Sequence, residues 1–178
     1  MNEDIERVFF TEEEIKQAVA RLGAEISRDF AGKDPVFVGV LKGCWVFMSD
    51  LMRSVSIPCT VDFMAVKSYE GTTSTGIVQI QKDLSQLIEG RHIIMVEDIL
   101  DTGRTLNYLV NYLSARNPAS ITIATLMDKP SRRKAPVNAR YSCFEVPDEF
   151  VVGYGLDYNE FYRNLPYIGV LKPEVYSK

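Results

Sequence analysis

The chain has 178 residues, 46% of them hydrophobic and 25% charged, which suits one soluble globular domain with a substantial core. Its formal net charge of −4 argues against a general nucleic-acid binder, though not against binding a phosphorylated metabolite, which needs only local positive charge. Cys44, Cys59 and Cys143 are odd in number and lack Cys-x-x-Cys spacing, which fits free thiols in a reducing compartment better than disulfides or a zinc module. The acidic start (Glu3, Asp4, Glu6) does not resemble a signal peptide, and no apolar run is long enough to span a membrane. A cytoplasmic location is the expectation.

Thr11 followed by Glu14 reads as a capping box, opening a helix whose apolar stripe is Ile15, Val19, Leu22, Ile26 and Phe30. Gly32 and Pro35 stop it. Val36 to Leu41 is an apolar strand, turned at Lys42-Gly43 into a helix running from Trp45 to about Arg53. On residue type alone, Lys42 is a solvated turn lysine. Pro58 precedes a further strand, Cys59 to Lys67. Ser68 to Gly76 is rich in glycine and small polar residues, as mobile surface loops are, and Ile77 to Gln81 returns as the second arm of a long hairpin.

Arg91 to Val96 is the next strand, with His92, the only histidine, at its start and away from any expected chemistry. Four apolar residues, Ile93 to Val96, suit a parallel strand buried on both faces. They run into Glu97-Asp98, then Ile99-Leu100-Asp101-Thr102-Gly103-Arg104-Thr105. Leu106, Leu109, Val110 and Leu113 then recur at helical spacing until about Asn117-Pro118. A strand-to-helix turn of this kind lies where open α/β sheets bind ligands. Free N–H groups at the helix start, the hydroxyls of Thr102 and Thr105, and Gly103 favour a phosphate. Glu97 and Asp98 accept only, and so suit sugar hydroxyls or a hard cation. Together these describe a ribose 5-phosphate site. The alternative is that Asp98 and Asp101 simply cap the helix.

Ile121 to Met127 forms another buried strand, ending at Asp128-Lys129-Pro130. Ser131-Arg132-Arg133-Lys134 reads as a solvated basic loop. Tyr141 to Val146 is a strand turned at Pro147-Asp148. The stretch from Phe150 to Pro166 is dense in aromatics and glycine, without helical period. No repeat, low-complexity tract or interdomain linker is present.

The run from Val96 to Thr105 closely resembles the phosphoribosyl-diphosphate (PRPP) motif of the type I phosphoribosyltransferases. Leu41-Lys42-Gly43 matches that family's diphosphate loop, and Ser68-Tyr69 resembles the dipeptide of its active-site lid. Phe150 to Pro166 resembles the carboxyl-terminal signature of hypoxanthine-guanine phosphoribosyltransferases. The likeness covers about Val36 to Leu171, with four motifs in order. Arg104 departs from it, since relatives often carry an apolar or smaller residue there.

The resemblance implies an α/β fold with a mostly parallel sheet flanked by helices, the core at about 36–146. A small hood over the base site would come from the N-terminal segment and about 147–178, all within one domain. It implies transfer of the 5-phosphoribosyl group from PRPP to N9 of hypoxanthine or guanine. It further implies Mg²⁺ held by Glu97, Asp98 and, through water, Asp157; a plain turn aspartate is the other reading of Asp157. Residues 97–98 and 101–105 would bind the phosphoribosyl group, and Leu41, Lys42, Gly43 and Arg163 the diphosphate. The Leu41–Lys42 peptide would be cis, or become cis on ligand binding. Asp101 would take the N7 proton. Phe150 would stack on the base, Val151 offer backbone atoms to its edge, and Lys129 donate to the 6-oxo group. A homodimer or homotetramer is expected, with no nucleic-acid or membrane partner. The competing reading is a PRPP-sensing regulator of the same fold that binds RNA or DNA.

Overall fold

The structure, a computed structural model, describes residues 1–69 and 77–177. The chain opens with strand β1 (Ile5–Phe10) and helix α1 (Glu12–Asp29), followed by β2 (Val36–Leu41) and α2 (Trp45–Ser54). Strands β3 (Thr60–Tyr69) and β4 (Ile77–Lys82) precede β5 (His92–Leu100), α3 (Arg104–Ser114) and β6 (Ser120–Asp128). Then come β7 (Tyr141–Glu145), β8 (Val151–Val152), β9 (Ile168–Leu171) and the short α4 (Pro173–Tyr176).

Among the described residues, six strands form one sheet in the order β4-β3-β2-β5-β6-β7, and only β4 runs antiparallel to its neighbour. Both faces of this sheet are covered, which is why β2 and the Ile93–Val96 run of β5 are apolar without alternation. On one side Phe37, Ile94 and Val96 pack with Ile15, Leu22 and Ile26 of α1 and Phe47, Met48 and Leu51 of α2. On the other, Val36, Val38, Val40, Ile93 and Met95 meet Leu106, Leu109 and Leu113 of α3. The expected stripe of α1 is buried in full, and the Thr11–Glu14 capping box opens that helix.

A second sheet of three antiparallel strands, β1-β9-β8, joins the two ends of the chain: Ile5 pairs with Leu171, and Val151 with Val170. Phe10 at the end of β1 stacks on Phe144 of β7, with ring centroids 3.9 Å apart, fastening the small sheet to the large one.

Several boundaries differ from expectation. Strand β5 continues to Leu100, because parallel pairing with β6 persists from Glu97 with Thr125 to Leu100 with Asp128. Glu97 and Asp98 therefore lie on the strand itself. Helix α3 is capped by neither Asp98 nor Asp101: its N-cap is Gly103 at φ 76°, with no side-chain cap bond. It ends at Ser114, short of Asn117. Trp45, expected on the apolar side of α2, is half exposed. Ser68 and Tyr69 belong by backbone to β3, while their side chains and residues 70–76 lie outside the described residues.

Helices α1 and α2 cross closely at Gly23, where an added Cβ would stand 2.6 Å from Ser54 Cβ and 2.7 Å from its carbonyl oxygen. Alanine is the better helix former by about 1 kcal/mol, but overpacking against backbone costs roughly 1–3 kcal/mol. Gly23→Ala should therefore lower the unfolding free energy, read as a lower urea midpoint at unchanged slope.

Candidate active site

The carboxyl ends of β2, β5 and β6 bring the chemically active residues to one edge of the sheet. Glu97 Oε2 is buried with no partner among the described residues. Asp98 accepts from the Ile99 backbone N–H at 2.7 Å. Burial, reinforced by the charge on Asp98, pushes the Glu97 carboxyl well above its usual range. Burial also raises Asp98, to about 6; Asp157 adds to this and Arg163 opposes it. The two carboxylates are thus held where ionisation is costly, and a cation arriving there would relieve that cost.

Two glycines admit this arrangement. A Cβ on Gly43 would lie 1.6 Å from Asp98 Oδ2, and one on Gly155, at φ 102°, would lie 2.3 Å from the Gly43 carbonyl oxygen. The turn after β2 is therefore pressed between the acidic pair and the segment after β8. Its Leu41–Lys42 peptide is cis, as the resemblance implies. Lys42 is a solvated turn lysine, and in addition its Nζ pairs with Glu160 Oε2 at 3.0 Å. Arg163 holds Asp157 Oδ1 at 2.8 Å and donates to the Gly155 carbonyl, while its Nε is buried and unpartnered. Asp157 also accepts from the Glu160 backbone N–H at 2.9 Å.

At the start of α3, the Asn107 N–H bonds back to the Gly103 carbonyl, so the N–H groups before it have no acceptor within the helix. Thr102 and Thr105 are half-buried around this turn, and Arg104 faces solvent. The turn is strapped from outside. The Thr102 carbonyl accepts from the N–H groups of Lys134 and Ala135. Arg133 donates to the carbonyls of Leu100, Asp101 and Val137 and pairs with Asp128. Arg132 Nε donates to Asp101 Oδ1 at 3.0 Å, and its Nη1 to Asp148 Oδ2 at 3.0 Å. The expected solvated loop is thus a bracket, with Arg133 largely buried. Its contacts with Leu100 and Asp101 span 31 to 33 positions of sequence, so no local spacing announces them.

Lys129, only 7% exposed, directly follows β6; its Nζ donates to the Glu149 carbonyl at 2.8 Å and lies 3.4 Å from Asp148 Oδ1. Phe150, 41% exposed, stacks on Tyr176 of α4 with centroids 4.7 Å apart, and meets Tyr158 edge-on. Val151 is buried in β8. Sequence reasoning had no signal for Glu160, Asp148 or Tyr176 as partners of these groups. A cavity of about 760 Å³ lies elsewhere, between α1 and α2, and of the site residues only Arg163 reaches it.

A mostly parallel sheet with an acidic pair at its carboxyl edge, a glycine-capped strand-to-helix turn and a small covering sheet defines a class of α/β protein. The family model for the phosphoribosyl transferase domain matches residues 9–159, and the chain belongs to that family. It is 51% identical to a hypoxanthine-guanine phosphoribosyltransferase of Streptococcus pneumoniae and 53% identical to one of Staphylococcus aureus, covering 99% of both chains in each case. A crystal structure of a hypoxanthine phosphoribosyltransferase from Staphylococcus aureus superposes with a TM-score of 0.97 at 52% identity, over 100% of this chain and 97% of that one.

The raised Asp98 carboxyl makes a prediction about stability. Its proton is held more tightly in the folded than in the unfolded chain, so this group's contribution to stability falls as pH rises from about 4 to about 6. Asp83 acts oppositely: burial there is outweighed by Arg116 and Tyr112, its carboxyl sits at about 2, and its stabilisation is lost only below about pH 4. Asp98→Asn should stabilise the ligand-free protein at pH 7.5, by on the order of 1–3 kcal/mol, and flatten the slope between pH 4 and 6. Urea melts across pH check both.

Proposed function

We propose that the chain transfers the 5-phosphoribosyl group of PRPP to N9 of hypoxanthine or guanine, giving the nucleoside monophosphate and diphosphate. The carrying observation is that the phosphate turn, the acidic pair, the Lys42 loop and Lys129 meet at one sheet edge beside Phe150, in a chain about half identical to relatives so named. In this reading it is a single phosphoribosyltransferase domain, with the three-stranded sheet as a hood.

The N–H groups and hydroxyls of residues 102–105 hold the 5-phosphate, and Glu97 with Asp98 orient the ribose hydroxyls. Lys42 and Arg163 exchange their pairing with Glu160 and Asp157 for the oxygens of the departing diphosphate, neutralising charge as it develops. Ser68 and Tyr69 belong to the lid. The residues present fit a divalent cation. Glu97 carries an orphaned buried oxygen, and no group of three or more ligating side chains occurs among the described residues. That suits Mg²⁺, which keeps waters and takes one or two carboxylates together with substrate oxygens. Glu97 and Asp98 would hold it, with Asp157 supporting a second ion through water; bound there, Mg²⁺ screens the diphosphate charge.

Asp101 gives one oxygen to Arg132 and keeps the other for the N7 proton of the base, which raises the nucleophilicity of N9. Phe150 supplies the stacking face and the backbone at Val151 the edge contacts. Arg132 and Arg133, spent on internal pairs, do not form the free basic face that a nucleic-acid-binding regulator needs. No helix among the described residues is long and apolar enough to cross a membrane, and a cytoplasmic location belongs to this reading. So does assembly as a homodimer or homotetramer, which the exposed Trp45 and Phe161 support and size-exclusion chromatography tests.

The direct test is incubation with PRPP, Mg²⁺ and each purine base, with identification of the nucleotide; absence of IMP and GMP would refute the reading. Asp101→Asn should lower kcat by on the order of 10²–10⁴-fold while PRPP affinity stays near the parent value.

Base choice follows from Lys129. Its ammonium has three donors and no acceptor; Glu149 and Asp148 engage two, leaving one for an oxygen at C6. An amino group there would leave that third N–H of a buried ammonium without an acceptor. That costs roughly 2–3 kcal/mol, or about 30- to 150-fold in kcat/KM against adenine. Lys129→Gln, which both donates and accepts, should narrow the hypoxanthine-to-adenine ratio. An unchanged ratio would move the selection to the backbone at Val151.

A further inference from the structure

We propose that Arg132 is a positioning residue that couples Asp101 to Lys129 through Asp148, so that N7 and the 6-oxo group of the purine are read by one preset unit. The proposal rests on the reading of Asp101 and Lys129 given above.

The contacts form an unbroken chain. Asp101 Oδ1 accepts from Arg132 Nε at 3.0 Å, Arg132 Nη1 donates to Asp148 Oδ2 at 3.0 Å, and Asp148 Oδ1 lies 3.4 Å from Lys129 Nζ. Lys129 Nζ closes it on the Glu149 carbonyl at 2.8 Å, the residue before Phe150. Three separate elements are joined: the turn after β5, the end of β6 and the loop before β8. Arginine suits the central place because its planar fork presents two donors in fixed relative geometry, which a flexible ammonium does not.

The base of the fork is itself fixed. Arg132 ends a single 3₁₀ turn, Pro130–Arg132, between Lys129 and the heavily bonded Arg133. Its guanidinium therefore has little freedom to leave the line between the two carboxylates. Charged groups around the unit are Arg133 with Asp128 on one side and Glu149 with Arg7 of β1 on the other, each already paired.

Magnitude separates this role from a stabilising one. Arg132 and Asp148 side chains are 43% and 53% exposed, and pairs so placed contribute little to folding. A misplacement of a reacting group by about 1 Å, by contrast, costs on the order of 10²-fold in rate. Losing Arg132 should scarcely move the urea midpoint while moving the reaction a great deal.

The test uses the full chain with PRPP and Mg²⁺, and compares Arg132→Ala, Arg132→Lys, Asp148→Asn and the double variant Arg132→Ala with Asp148→Asn. Arg132→Ala should reduce kcat/KM for hypoxanthine by about 10- to 100-fold and narrow the hypoxanthine-to-adenine ratio, although Arg132 need not touch the base. KM for PRPP should change by less than about twofold. Asp148→Asn should shift the same quantities in the same direction, and the double variant should be no worse than Arg132→Ala alone, as expected of one unit. Arg132→Lys should rescue only part. The proposal is overturned if Arg132→Ala and Asp148→Asn both keep the parent's base selectivity, or if their effects simply multiply. Asp101→Asn, run alongside, separates the two readings. If it is impaired while the Arg132 and Asp148 variants are not, the coupling fails and the assignment of Asp101 stands. If Asp101→Asn turns over like the parent, that assignment fails and the coupling fails with it.

Discussion

The arrangement depends on one electrostatic constraint, the placement of Glu97 and Asp98 at the carboxyl end of a central strand. Two adjacent carboxylates there resist ionisation, and Glu97 Oε2 finds no partner among the described residues. Folding alone gains nothing from them, since a buried unpaired charge is among the costlier features of a protein interior. They are tolerated because the six-stranded sheet is well packed on both faces. Gly43 and Gly155 are part of the same constraint, because any side chain at either place would push the neighbouring loop off the acidic pair. The cations nearest this region, Lys42 and Arg163, are paired with Glu160 and Asp157 rather than with Glu97 or Asp98. Paired cations therefore stand beside a buried acidic pair that resists ionisation, one oxygen of which, Glu97 Oε2, has no partner among the described residues.

Much of this was legible from local pattern. The stripe of α1, its capping box, the doubly buried runs of β2 and β5 and the strand–turn–helix units all follow from periodicity and end signals, which act over a few residues. What escaped was set over longer distances. Strand β5 runs four residues past its apolar core because β6 continues to pair with it, and pairing overrides the polar character of Glu97 and Asp98. Aspartates near a helix start suggest capping, yet the left-handed Gly103 takes that place and leaves Asp101 to Arg132. The basic run at 132–134 looked solvated because its acceptors, Asp101, Asp128 and Asp148, come from three different segments. Cis geometry at Leu41–Lys42 was legible only through likeness to a family, since no composition rule for a leucine–lysine peptide suggests it.

The two neighbouring arginines divide the work by burial. Arg133 holds main-chain carbonyls and fixes where the turn before α3 stands; the Arg132 guanidinium holds side-chain carboxylates at the surface and no carbonyl. A net charge of −4 does not reveal this, because it says nothing of which carboxylate each arginine meets: Arg132 pairs with Asp101 and Asp148, and Arg133 with Asp128.

The pairing of β1 with β9 has a consequence for synthesis. These strands lie roughly 160 residues apart in sequence, so β1 is made long before the strand it pairs with. Every strand of the large sheet has left the ribosome before Ile168 does, and the acidic pair and phosphate turn can assemble around them. Until β9 arrives, Val8, Phe9 and Phe10 present an unpaired apolar edge, the kind of surface that invites pairing with another chain. A nascent chain halted near Tyr158 would carry the large sheet complete and the small one open, and the arrival of β9 decides whether the product folds or becomes a substrate for quality control.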